Sequence, residues 1–311
     1  MVSIVIVNWN SGPLLEKCVA SIRKHAPGCE IVIVDNASTD TSLEFAGRTS
    51  HFLMPLRNEH NAGFAAACNQ GWRAGQGDKD LFLNPDVECF PDGVGIMAQR
   101  LESDPAVWAV GGRLLGAAGA PQAGFNVRAF PSIGSVAAEM LLLDEVWPHN
   151  RWTRRYRMAD WDHNSPRDVD QPAAACLMVR RAALESLGGF DEQFRPAWFE
   201  DVDLCRRISN AGGRIVFEPR ASFLHQGGAS LSNLTKEEFL RYFHANQLRY
   251  FEKHHGKPAA ARVRRLIIVG LYLRALLAGL GTPLRGRAAT SATRSYWRAA
   301  RHFAGTQGAT S

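Results

Sequence analysis

Residues 2–40, VSIVIVNWNSGPLLEKCVASIRKHAPGCEIVIVDNASTD, decide the fold. Residues 2–7 and 30–34 are apolar, β-branched runs of buried-strand length, and a helical pattern spans 13–26 between them. Strand, helix, strand in that order predicts parallel pairing through a right-handed crossover. Asn8 and Asp35 lie just past the two strands. In open sheets of this kind ligands gather outside the carboxyl ends of the strands, so both residues are candidates for a binding site.

The rest of the chain extends the pattern. A helix is predicted around 62–75, and KDLFLNPDV (79–87) reads as a strand ending near Leu83, which brings Asp86 to the same edge. Residues 115–170, rich in Gly, Pro, Trp and Arg, read as irregular with a short apolar helix at 134–147. A strand at 174–179 and a helix at 180–187 follow, then an acidic helix opening at WFEDVDLC (198–205) and stopped by Gly212 and Gly213. GRIVFEP (213–219) is one more strand, and from 235 onward the pattern is helical and basic. The fold class expected from the residues is α/β.

With 311 residues, 46% hydrophobic and 21% charged, the chain has the composition of an ordinary globular protein with a full core. Its six cysteines are scattered without a CxxC pair, which argues against a zinc cluster and suits a reducing compartment. No basic region precedes the first strand, so no signal peptide is read and a cytoplasmic protein is expected. Net charge is +6, yet from Arg241 onward 13 Lys and Arg face one acid, Glu252. Such a tail calls for an anionic surface as partner.

Each candidate site has a plain structural alternative. Asp35 opens a run of Asn36, Ser and Thr that would also make an N-cap loop. Asn84-Pro85-Asp86 is an ordinary turn sequence, but a hard divalent cation is commonly held by only one or two carboxylates beside phosphate oxygens, and Asp86 suits that role. The loop with Asn58, Asn61 and Gly63 starts a helix, where backbone amides suit an anion, beside apolar residues that look like packing. His225 follows a strand, and a lone histidine is more often structural than a ligand. Glu200, Asp201 and Asp203 fit a helix N-terminus, where each acid is favoured by about 0.3–1 kcal/mol. One acid would satisfy that need, and three point to a site.

Taken together, SIVIVNWN, IVIVDNASTD, NAGFAAACNQG, LFLNPDV, GGFDEQF, WFEDVDLCRR and FLHQGGAS, in that order, closely resemble the inverting family 2 glycosyltransferases, nearest the bacterial rhamnosyltransferase-like branch. The resemblance covers residues 1–255. It implies a GT-A fold with a mostly parallel central sheet flanked by helices, a nucleotide-sugar donor such as dTDP-rhamnose, a Mg2+ or Mn2+ ion, and a saccharide or polyprenyl-linked acceptor of cell-surface polysaccharide synthesis. Carried over by position, it assigns Asp35 to the nucleoside, with Asn8, Asn36, Asn61, Gly63 and Asn84 beside the donor. Asp86 matches the last position of the metal-binding DxD motif, whose first aspartate is Asn84 here, and His225 matches a metal-ligating histidine. Asp201 matches the general base, with Glu200 holding acceptor hydroxyls and Asp203 capping the helix or pairing with Arg206 or Arg207. Ala174 stands where relatives usually carry glycine. The implied organisation is a catalytic domain over 1–255, split into a donor half (1–112) and an acceptor half (113–255), and a basic helical tail over 256–311.

Two rival classes fit less well. A dinucleotide-dependent oxidoreductase or a methyltransferase wants a glycine-rich turn after the first strand, and VNWNSGPLLEK has only Gly12. An inactive sugar-binding module would not need Asp86, Asp201 and His225 together. In the tail, RVRRLIIVGLYLRALLAGLGTPLRGR (262–287) has an apolar stretch at 266–281 flanked by Arg262, Arg264, Arg265, Arg285 and Arg287. It is interrupted by Arg274 and shorter than the ~20 residues of a spanning helix, so it reads as a helix lying on the inner membrane face. The alternative is a helix packed on the protein or in a homodimer interface. So long an apolar run does not serve phosphate contacts, which sets nucleic acid aside.

Overall fold

The computed structural model describes residues 1–45, 53–227, 234–280 and 282–305. In chain order the elements begin β1 (Val2–Asn8), α1 (Leu14–His25), β2 (Glu30–Asp35), β3 (Leu53–Arg57), α2 (Phe64–Ala74) and β4 (Lys79–Leu83). They continue β5 (Val87–Cys89), α3 (Gly93–Ser103), β6 (Val107–Leu115), β7 (Val127–Arg128), α4 (Ile133–Met140), α5 (Leu143–Val146) and α6 (Arg151–Tyr156). Then come β8 (Arg167–Asp168), β9 (Gln171–Pro172), β10 (Cys176–Arg180), α7 (Arg181–Leu187), α8 (Glu200–Asn210) and β11 (Arg214–His225). The chain ends in α9 (Lys236–His255), α10 (Lys257–Leu280) and α11 (Thr282–Gly305).

Two compact units form. The first comprises Met1–Phe130 and Arg157–Asn233, the second Pro131–Tyr156 and Leu234–Ser311. The sequence boundary at 255 marks where the family resemblance ends, and these units are drawn elsewhere. The 112/113 division falls inside β6.

In the first unit the strand order is β3-β2-β1-β4-β10-β6-β11-β5, with β8 pairing β11. β1 and β2 run parallel, as the opening stretch predicts, and β3, β4, β6 and β11 share their direction. β10, β5 and β8 run the other way, so the sheet is mixed but mostly parallel. Alternation along the strands separates two apolar faces. Ile4, Ile6, Ile31, Ile33 and Leu81 pack with α1 and α3 through Leu15, Ile22, Met97 and Leu101. Val5, Val7, Val34 and Phe82 pack with α2 and α8 through Cys68, Trp72, Leu204 and Ile208. Each fully buried aliphatic side chain contributes about 1.5–3 kcal/mol.

Some elements went unread in the sequence for local reasons. β6 contains Gly111-Gly112, which looks like a break. A Cβ on Gly111 would lie 2.4 Å from Pro172 Cβ, and one on Gly112 2.6 Å from Phe223 Cε2, so the glycines mark close packing in a central strand. β3 carries Pro55, tolerated because β3 is an edge strand. The strand expected at 213–219 runs on to His225 through an irregularity between Glu218 and Ser222.

In the second unit the helix expected over 134–147 is two helices. The guanidinium of Arg274 donates to the carbonyls of Glu139 (2.6 Å) and Met140 (2.7 Å), ending α4, and Leu142 turns left-handed (φ 61°) before α5. Gly270 permits this approach, since a Cβ there would meet the Met140 carbonyl at 2.5 Å. α9 starts with a capping box of Thr235 and Glu238. Among the described residues no helix is long and apolar enough to cross a membrane.

Candidate active site

The site is built where strands of the first unit end. Asn8 and Asp35 are register partners at the ends of β1 and β2, and both are buried. The Asn8 side-chain amide donates to Asp35 Oδ1 (2.8 Å), Ser42 Oγ (2.8 Å) and Ser38 Oγ (3.0 Å). Asn36 continues the network, donating to Asn61 Oδ1 (2.8 Å) and accepting from Asn58 Nδ2 (3.1 Å) and Ala62 N (2.9 Å). Gly63 N donates to Asn61 Oδ1 (2.9 Å), and Phe64 N to the Pro196 carbonyl (2.7 Å). Gly63 has φ +90° and a Cβ there would crowd Pro196 O at 3.1 Å, so only glycine fits. The amides of Ala62, Gly63 and Phe64, which the helix start offers to an anion, are therefore taken by the protein's own acceptors.

A second corner forms at the other side of β4. Asn84 closes the Asn-Pro-Asp turn, its carbonyl accepting from Val87 N (3.1 Å). The turn leads into β5, whose Val87 pairs with His225 of β11, and Gln226 N donates to the Asp86 carbonyl (3.0 Å). This ladder joins residues 139 positions apart, placing His225 Nε2 3.6 Å from Asp86 Oδ1. Both residues are 5% exposed, and Asp86 Oδ1 has no hydrogen-bond partner. Burial pushes the His225 pKa below 6.5 against the pull of Asp86, so the imidazole is neutral at neutral pH. A carboxylate oxygen without a donor facing a neutral imidazole fits a shared divalent cation. Among the described residues no cluster of three or more His, Cys, Asp or Glu gathers, so the protein offers two ligands and leaves the others to diphosphate or water.

The acidic segment forms the third corner. Trp198 (φ 75°) and Phe199 (φ 72°) are both left-handed, so α8 begins on a strained turn without a side-chain cap. Its three acids then diverge. Asp203, fully buried, pairs with Arg207 Nε (2.7 Å), whose other nitrogens hold the Leu187 and Gly189 carbonyls. That ion pair is structural. Arg206 instead lies over the Phe130 ring. Glu200 is buried with Oε2 lacking a hydrogen-bond partner, and burial, with the charges of Asp201 and Asp203, raises its pKa well above 4.5. Burial thus biases Glu200 toward its protonated form. Asp201 is partly exposed and held by three donors: Val202 N to Oδ1 (2.8 Å), Ala174 N (3.1 Å) and Gln171 Nε2 (3.3 Å) to Oδ2. Burial raises its pKa, while those backbone amides and the Arg128 charge oppose the rise. A carboxylate so oriented and made more basic is a competent proton acceptor.

Short backbone links join the corners. Asn84 N donates to the Ala175 carbonyl (3.1 Å), next to the Ala174 amide on Asp201. Phe64 N on Pro196 O ties the asparagine network to the loop before α8. The sequence reading missed Gln171, Arg128 and Gln122. Gln171 and Arg128 lie on β9 and β7, two-residue strands that carry no periodicity. Ala174 drew notice only as a departure from glycine, and its alanine amide serves Asp201 without hindrance.

A mixed, mostly parallel sheet flanked by helices, with a polar Asn–Asp corner, an Asp–His pair and an oriented carboxylate beyond its strand ends, is a GT-A-type architecture. The chain belongs to glycosyl transferase family 2, whose family model matches residues 3–187. It is 28% identical over 267 residues to the N-acetylglucosaminyl-diphospho-decaprenol L-rhamnosyltransferase of Mycobacterium tuberculosis, covering 81% of this chain and 85% of that one. It is 23% identical over 230 residues to the rhamnosyltransferase WbbL of Escherichia coli, covering 72% and 83%. Among solved structures, the mannosyltransferase PcManGT of Pyrobaculum calidifontis, in complex with GDP-Man and Mn2+, superposes with a TM-score of 0.57 at 16% identity, covering 97% of this chain and 86% of that one.

Proposed function

We propose that this glycosyltransferase transfers rhamnose from dTDP-rhamnose, with inversion, to a hydroxyl of a lipid-linked saccharide in cell-surface polysaccharide synthesis. The orientation of Asp201 by Ala174 N, Val202 N and Gln171 carries the catalytic part of this reading. Asp201 takes the proton from the acceptor hydroxyl as that oxygen bonds to the anomeric carbon, and the bond from that carbon to the diphosphate oxygen breaks. A Mg2+ or Mn2+ ion, when bound, neutralises charge on the departing diphosphate. Asp86 and His225 would hold it. Asp35, Asn8 and Asn36 form the face for the nucleoside, with Asn61, Gly63 and Asn84 shaping its rim. The likeness to two rhamnosyltransferases supports the donor, and that to the N-acetylglucosaminyl-diphospho-decaprenol L-rhamnosyltransferase supports a polyprenyl-diphosphate acceptor. The test is release of nucleoside diphosphate from dTDP-rhamnose, UDP-sugars and GDP-sugars with an N-acetylglucosaminyl-diphospho-polyprenol acceptor. Turnover of a UDP- or GDP-sugar with none of dTDP-rhamnose would overturn the donor while leaving the family intact.

We further propose that the second unit rests on the inner face of the cell membrane. On α10, Val263, Ile267, Gly270, Leu271 and Ala275 face inward, and Arg274 is also drawn in to cap α4. The opposite arc carries exposed Arg262 and Arg265, then exposed Val269, Tyr272, Leu276 and Leu280. A basic end followed by an apolar stripe suits an anionic lipid surface, at about 1 kcal/mol of attraction per basic residue. Arg285 and Arg287 lie outside the residues whose side chains are described. Full-length protein should float with anionic vesicles, and Leu276→Glu with Leu280→Glu should abolish flotation. Unchanged flotation sinks this reading, and loss of a dimer instead assigns the stripe to self-association.

A further inference from the structure

His225 is held by more than its place at the end of β11. The Gln122 side chain makes two bonds to it: Nε2 donates to the His225 carbonyl (3.1 Å), and Oε1 lies 2.6 Å from His225 Nδ1. A backbone carbonyl can only accept, so the Gln122 atom facing it must be the amide nitrogen. Oε1 then faces Nδ1, and Oε1 can only accept as well. Nδ1 therefore carries the ring proton, and in the neutral imidazole the lone pair lies on Nε2, the nitrogen 3.6 Å from Asp86 Oδ1.

Gln122 is itself pinned. Its N–H donates to the Leu114 carbonyl at the end of β6 (3.0 Å), and its carbonyl accepts from Phe125 N (3.1 Å) and Asn126 N (3.0 Å). Phe125, from the same turn, stacks on the His225 ring with centroids 5.2 Å apart and planes 12° from parallel. The turn thus fixes the ring plane through Phe125 and the tautomer through Gln122. Outer-shell partners of metal-bound histidines commonly act in this way, and their loss costs about 10–100-fold in metal affinity.

We infer that Gln122 is a positioning residue that locks His225 in the Nδ1–H tautomer, so that Nε2 presents its lone pair beside Asp86. This inference rests on the proposed metal role of Asp86 and His225. Two measurements on the full-length protein test it. In long-range 1H–15N spectra at neutral pH without metal, the ring signals of His225, identified by their loss in His225→Ala, should show protonated Nδ1 and unprotonated Nε2. Gln122→Leu should scramble that pattern. Calorimetry with dTDP, UDP and GDP, each with Mn2+ and with EDTA, gives the second readout. Gln122→Leu should reduce the Mn2+-dependent gain in nucleotide affinity by about 10–100-fold and leave the EDTA affinity unchanged. Gln122→Glu, which still accepts from Nδ1–H but gives up the donor to the His225 carbonyl, should restore part of the gain. An Nε2–H tautomer in the unmodified protein, or an undiminished Mn2+ gain in Gln122→Leu, overturns the inference. If Asp86→Ala abolishes the gain while Gln122→Leu does not, the failure is confined to Gln122. If Asp86→Ala also changes nothing, or no nucleotide gains from Mn2+, the metal reading falls and takes this one with it.

Discussion

At the end of β1 and β2, Asn8 commits its amide to Asp35, Ser38 and Ser42, and Asn36 is bonded on both sides to Asn58, Asn61 and Ala62. At the start of α8 and in the turn after β4, Glu200 Oε2 and Asp86 Oδ1 are buried without a hydrogen-bond donor. The first corner is a satisfied polar network that costs little to keep. The second keeps desolvated carboxylates, and burial raises the pKa of Glu200 and Asp201. A nucleoside is a neutral, hydrogen-bonding ligand and suits a rigid, satisfied frame. Proton transfer and diphosphate departure need charge in a low-dielectric setting, where electrostatic terms are large. Under the proposed function, the contrast separates recognition from chemistry within one sheet edge.

The largest effect should come from Asp201→Asn. The amide keeps the shape but cannot take the proton, so transfer should fall by about 10²–10⁴-fold with nucleotide binding retained. Steady-state turnover alongside calorimetry reads both. Near-normal turnover would break the contrast by removing the base from α8. Next is Arg207→Ala, which leaves Asp203 buried without its ion-pair partner. Urea unfolding should show a loss of about 3 kcal/mol, at the lower end for a broken buried pair because Arg207 is partly exposed. An unchanged midpoint would make Asp203 dispensable to the fold and reopen a functional role for it.

The two corners also differed in how far the sequence revealed them. Asn8 and Asp35 follow adjacent parallel strands whose β-branched runs are plain in the chain, so their meeting follows from a single strand–helix–strand unit. Asp86 and His225 meet only through β5, a three-residue strand, paired antiparallel with the far end of β11. So short a strand has no readable period, and that pair came from resemblance. The acids of 198–205 were visible as a cluster, but their separate duties were not. Those depend on Arg207 one helical turn away, on Ala174 and Gln171 some thirty residues back, and on how deeply each side chain is buried. Gln122 lies in a Gly- and Ala-rich turn where spacing carries no signal.

A smaller effect is expected from Asn36→Ala. Truncation leaves the Ala62 amide without its acceptor, a cost of about 1–3 kcal/mol, and takes one bond each from Asn58 and Asn61, which keep Gln70 Oε1 and Gly63 N. Nucleotide affinity in EDTA should fall, while the ratio of affinities with and without Mn2+ should hold. A fall in that ratio would mean the two corners are coupled, against the division drawn above.

The smallest effect on rate should come from Glu200→Gln, and it tests the protonation state that separates Glu200 from Asp201. If Glu200 is already neutral at pH 7, the amide is a near-isosteric copy and turnover should stay within about tenfold, far from the loss in Asp201→Asn. The signature lies in stability. The folded-state pKa of Glu200 is raised above the ordinary 4.5, so between 4.5 and that higher value the native chain holds a proton that the unfolded chain has lost. In that window the contribution of Glu200 to stability declines as pH rises. Gln cannot titrate, so the variant should match the parent below pH 4.5 and become the more stable of the two as pH climbs above it. Thermal or urea unfolding across pH 4 to 8 measures the gap. A gap that stays flat with pH, together with a large loss of turnover, would show Glu200 ionised in the native state and transfer the role of base to it.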